Sequence, residues 1–125
     1  MVYIAGMTQQ GNSLIDRKLI DEIRRIEHAT GRNDVLSGFV RKLEDNIAGF
    51  GDAFARYVAS GDKTGAVRAA HTLKGTCLQL GAQALGDLFS DIEGSAKAGD
   101  YAEAKRKFDS AGGLIADSIE ALKQA

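Results

Sequence analysis

Apolar residues recur along this chain at intervals of three and four, and nowhere do they alternate with polar ones as strand residues do. That rhythm predicts helices throughout. Leu14, Ile15, Leu19, Ile23 and Ile26 share one face and stop before Thr30-Gly31, which suits a helix C-terminus with glycine just beyond it. A second, longer helix follows a cap at Asn33 or Asp34. Its apolar positions run from Val35 through Phe39, Leu43, Ile47, Phe50 and Phe54 to Val58, before Ser60-Gly61, and Gly49 and Gly51 are the places where it can bend. Asp62 caps a third helix that ends near Gly81, and a fourth begins at about Ala82 with Leu85, Leu88, Phe89 and Ile92. A last helix is expected from Asp100 to Leu122, continuing through Gly112-Gly113. Connections this short make neighbouring helices antiparallel. The expected fold is therefore all-α: a four-helix antiparallel up-down bundle with an additional short N-terminal helix. Residues 1–13 are read as an N-terminal tail and residues 14–125 as the bundle domain.

The third helix carries the candidate chemistry. At roughly 100° per residue, Thr64, Val67, Arg68, Lys74, Gly75 and Leu78 all fall within roughly 60° of His71. Ala66, Ala69, Leu73 and Leu80 lie on the opposite side and form the stripe a bundle would bury. His71 should therefore face outward. Lys74 and Arg68, one turn to either side, supply positive charge where an anion on the imidazole would sit. Gly75 costs its helix about 1 kcal/mol relative to alanine, and on an outward face no core packing offsets that loss. Its lack of a side chain must serve something that approaches. Val67 and Leu78 are apolar on the same stripe, as in a docking surface, and neither is expected to face the core. Across the predicted turn, residues 71 and 93 are equidistant from position 82, so an antiparallel pair with axes about 8–10 Å apart sets them level. Glu93 is therefore expected to accept a hydrogen bond from His71 Nδ1, fixing the tautomer that leaves the Nε2 lone pair outward.

The stretch AAHTLKGTCLQLGAQAL resembles the signature of histidine-phosphotransfer (HPt) domains, HxLKG followed six residues later by a second glycine with Ala82 beside it. The resemblance spans roughly residues 14–123 and is weakest before residue 30. It implies a phosphorelay intermediate that takes a phosphoryl group on Nε2 of His71 from an aspartyl phosphate on a response-regulator receiver domain and passes it to another regulator. It further implies that Lys74 stabilises the phosphorylated state, that Gly75 leaves room for the receiver, and that Gly81 lets the next helix turn back. Glu or Gln is common in the family at the offset of Glu93. The docking residues would be Thr64, Val67, Arg68, Gly75 and Leu78. Such domains are carriers without kinase activity of their own, and they bind no cofactor. Mg²⁺ is expected on the receiver. Expected partners are receiver domains and a hybrid histidine kinase, with the chain itself a monomer.

Composition narrows the alternatives. The 125 residues hold one domain, and 16 basic against 17 acidic residues leave a net charge of −1, without the basic surplus of a nucleic-acid or acidic-membrane binder. No apolar run approaches the ~20 residues of a membrane span, and MVYIAGMTQQ lacks the form of a signal peptide, so a cytoplasmic location is expected. The single Cys77 excludes an internal disulfide and a cysteine zinc cluster, and falls near the buried edge of its helix. His28 sits in the last turn of the first helix, where a cation suits the helix dipole, and is read as structural. No metal site is expected. Lys74-Gly75-Thr76 lacks the spacing of a phosphate-binding loop, and the run Lys105-Arg106-Lys107 is read as a solvated face. Two alternatives stay open: a phosphotransfer domain excised from a larger hybrid histidine kinase, and a helical binding module that is never phosphorylated.

Overall fold

The computed structural model describes residues 14–125, so the predicted tail at 1–13 lies outside the described residues. Those residues form six helices and no strand: α1 (Arg17–Thr30), α2 (Val35–Ala59), α3 (Lys63–Leu80), α4 (Gln83–Lys97), α5 (Tyr101–Asp109) and α6 (Gly112–Gln124). Their starts follow from side chains that satisfy the unpaired amides of a first turn. Asp16 accepts from the Lys18 amide, Asp62 from that of Gly65 and Asp100 from that of Glu103. Asp34 precedes α2 without capping it and pairs with Arg32 instead. The α2 start is served by buried Glu27 of α1, whose Oε2 accepts from the Leu36 amide at 3.0 Å while Oε1 accepts from Arg24 at 2.8 Å.

The bundle is antiparallel. α3 and α4 form the tightest pair, turning at Gly81, whose φ of +87° is a left-handed conformation that glycine adopts without strain. The chain before α1 clips onto this turn, with the Asp16 amide donating to the Gly81 carbonyl and the Ala84 amide to that of Leu14. α2 runs unbroken through Gly49 and Gly51. The helix does not end there, and Gly51 has a packing reason: a Cβ on it would stand 3.3 Å from the Phe108 ring.

The expected last helix is in fact two, which corrects the sequence expectation. The chain breaks at Ser110 (φ −85°, ψ −1°) and Ala111 (φ −99°, ψ 13°), just before the paired glycines that raise the cost of continuing the helix. Ser110 Oγ donates back to the Arg106 carbonyl. Even so, α5 and α6 keep one direction. Tyr101 meets Phe54, Phe108 meets Phe50 and Lys123 meets Glu44, so together they run antiparallel to α2 as the fourth element of the bundle. Phe50 centres the core, its ring centroid 5.3 Å from Phe89 and 4.9 Å from Phe108, with Leu43, Leu73, Leu85, Ile92 and Leu122 buried around that group. This core holds α3 and α4 at fixed register, and the site lies on their outer edge.

Candidate functional site

α3 buries Ala66, Ala70, Leu73, Cys77 and Leu80 and turns His71 outward, its side chain 66% exposed. Burial pushes the Cys77 thiol up to about 12, so it stays a protonated core group. His28 is exposed in the last turn of α1, far along the chain from this site.

Beside His71 stands Glu93 of α4, only 5% exposed, at the level the turn register requires. α4 continues past Gly94 to Lys97, so Glu93 sits within the helix and not at its end. Its Oε2 lies 3.0 Å from His71 Nδ1 and 3.2 Å from Lys97 Nζ, and its Oε1 lies 3.6 Å from Lys74 Nζ. One carboxylate thus faces three cationic or cation-forming groups. Burial alone would push this carboxyl up, but hydrogen bonds from Lys97 and His71, with their charge, hold it below the usual carboxylate range. An ionised carboxylate can only accept. The proton between Glu93 and the imidazole therefore belongs to Nδ1, the tautomer that in the neutral ring leaves the Nε2 lone pair toward solvent.

Lys63, Thr64, Val67, Arg68, His71 and Glu93 line one shallow depression. The structure thus brings three of the sequence-predicted docking residues, Thr64, Val67 and Arg68, together with His71 and Glu93. Gly75 lies one turn further along α3, and a Cβ there would meet nothing within 4 Å. Leu78 departs from expectation. It is half-buried and folds over Gly86 of α4, whose missing side chain gives it room: a Cβ on Gly86 would lie 2.8 Å from Leu78 Cγ. Val67 is half-buried as well and packs against the core. The expectation that neither faces the interior is corrected on both counts: the gap at Gly86 of α4 draws Leu78 into the α3–α4 groove, and Val67 packs against the core.

Lys97 and Lys63 complete the positive rim and were not singled out from sequence. Lys97 was findable, since it stands four residues after Glu93, the spacing of a helical ion pair. Lys63, at the first position of α3, gave no such signal. Among the described residues no three His, Cys, Asp or Glu side chains gather as a metal-ion cluster, and no helix is long and apolar enough to cross a membrane.

The arrangement offers one exposed imidazole nitrogen with a free lone pair, a buried carboxylate behind it and lysines and an arginine around it, which suits acceptance of an anionic group. No curated protein and no solved structure matches the chain. The family model described as Hpt domain matches residues 34–125, from the start of α2 through the depression around His71 to α6, and the chain belongs to that family, whose members are phosphocarriers of phosphorelays working with response-regulator receivers and kinases.

Proposed function

We propose that this chain takes a phosphoryl group onto Nε2 of His71 from an aspartyl phosphate on a receiver domain and passes it to a second response regulator. The observation that carries this reading is the buried Glu93 carboxylate on His71 Nδ1, which leaves Nε2 free in an open, cation-rimmed depression.

In the forward step Nε2 supplies the electron pair for the new N–P bond while the P–O bond to the receiver's aspartate breaks and its carboxylate leaves. The ring becomes cationic as the bond forms, with its Nδ1 proton retained, and Glu93 beside that proton stabilises the charge. Lys74 holds Glu93 from its other oxygen and stands beside the phosphorylated imidazole. Thr64, Val67 and Arg68 form the surface that the receiver covers, with Gly75 as the gap through which it approaches. Mg²⁺ and most of the stabilisation of the transferring group come with the receiver. The chain supplies position and a nucleophile, and carries the group as a cytoplasmic monomer. The same chemistry holds whether the unit works alone or within a hybrid histidine kinase.

The test is transfer from a phosphorylated receiver domain to the wild-type chain and to His71→Gln. Label should move to the wild type and return to an unphosphorylated receiver, and the variant should stay unlabelled. A folded wild-type chain that accepts no label from any receiver of its source would instead favour the non-phosphorylated binding module.

A further inference from the structure

We propose that Lys97 is a positioning residue of this site, sharing the Glu93 carboxylate with the imidazole so that His71 stays neutral and nucleophilic. This rests on reading His71 as the phosphoryl acceptor.

A lone buried carboxylate beside an imidazole has two opposed effects. It selects the useful tautomer, with the proton on Nδ1, but it also favours the doubly protonated imidazolium, which has no Nε2 lone pair and cannot attack phosphorus. A site built on Glu93 alone would gain orientation and lose nucleophile. Lys97 separates the two effects. Its Nζ lies 3.2 Å from the same Oε2 that lies 3.0 Å from His71 Nδ1. A carboxylate oxygen has two lone pairs, so both donors fit without displacing one another. The ammonium and Nδ1 are then at most about 6 Å apart, close enough for the fixed charge to oppose a second proton on the ring.

The other charged groups around the imidazole do not duplicate this contact. Lys74 engages the opposite oxygen, Oε1, and Lys63 and Arg68 line the depression on the α3 side. From α5, Lys107 is engaged with Ser95 Oγ and the Asp91 carbonyl. Among the described residues no charged group of α1 or α2 forms an ion pair with His71, Glu93 or Lys97. The Lys97 side chain is 64% exposed and in the last turn of α4, where a cation suits the helix terminus, so the fold does not depend on burying it.

The experiment compares the full wild-type chain with Lys97→Met and Lys97→Arg. Imidazole ¹⁵N NMR of the unphosphorylated proteins reads the His71 tautomer and its titration midpoint, and transfer from a phosphorylated receiver is followed against pH. Lys97→Met should raise the midpoint by about half a pH unit, roughly threefold in proton affinity, with the Nδ1–H tautomer retained above it. The acid limb of the transfer profile should move by the same amount, while Lys97→Arg follows the wild type. A purely structural lysine would lower melting temperature and transfer alike at every pH. An unmoved midpoint in Lys97→Met, or a transfer loss independent of pH, overturns the proposal. Failure of the wild-type chain to accept label overturns instead the reading of His71 as acceptor, and the NMR titration still decides what Lys97 does to the ring.

Discussion

Giving Gly75 a side chain should make the protein more stable and less able to function. Gly75 lies inside α3, one turn after His71, and a Cβ there meets nothing within 4 Å. With no clash to offset it, Gly75→Ala gains about 1 kcal/mol of helix propensity. Over the 112 described residues, an unfolding entropy of about 2.1 cal/mol/K per residue turns this into a melting temperature higher by about 4 °C. Gly75→Gln should gain most of the same amount, since Gln ranks close to Ala as a helix former. Helical side chains lean toward the N-terminus, so a Gln at 75 covers the turn below it, where His71 stands. It would occupy the space through which a receiver's phosphoaspartate must come, and displacement of the reacting atoms by about 1 Å already costs on the order of 10²-fold in rate. Thermal melts by circular dichroism, run beside single-turnover transfer from a phosphorylated receiver, read both quantities. Gly75→Gln transferring at the wild-type rate would refute the reasoning. So would a melting temperature several degrees below wild type, since the glycine would then serve backbone packing.

Three further outcomes follow from the packing and the buried groups. Leu78→Glu should lose about 1–2 kcal/mol, because it removes the apolar contact over Gly86, whereas Arg68→Glu on the same helix should melt near wild type; urea titrations that rank the two equally would contradict the α3–α4 packing described. Glu27 is held below the usual carboxylate range by the Leu36 amide first and by Arg24 second, so its contribution is present above the ordinary glutamate range and is lost as pH falls through its depressed value. Denaturant unfolding followed from pH 6 to roughly 3.5 should therefore show a steeper loss for wild type than for Glu27→Gln, and equal slopes would count against the bond. Cys77, fully buried with its thiol raised to about 12, should react with a thiol reagent only as fast as the protein opens, and rapid labelling in native buffer would show the core to be looser than described.

Much of this was legible because it depends on local chemistry or on counting along one hairpin. Asp62 and Asp100 cap helices as their positions suggest, and Glu93 reaches His71 because both stand the same number of residues from the turn. What escaped depends on neighbours that the chain order does not reveal. Asp34 looks like a cap, yet the α2 amides are met by Glu27 from the preceding helix, across a loop. A helical wheel gives the angle of Leu78 from His71, but the groove that takes it in exists only because residue 86 of another helix is glycine. The last helix breaks at Ser110 and Ala111 although the apolar rhythm carries on through it, since the direction is kept and only the local backbone changes. Lys97 is legible from sequence by its four-residue spacing from Glu93, the spacing of a helical ion pair.

The most direct test of the account is to locate the phosphoryl group on the protein itself. After transfer from a phosphorylated receiver, ³¹P and ¹⁵N NMR of the chain should show one acid-labile phosphoramidate, on Nε2 of His71, with the Nδ1 proton retained against Glu93. A phosphoryl group on His28, on Nδ1 of His71, or on any other side chain at comparable yield would contradict it.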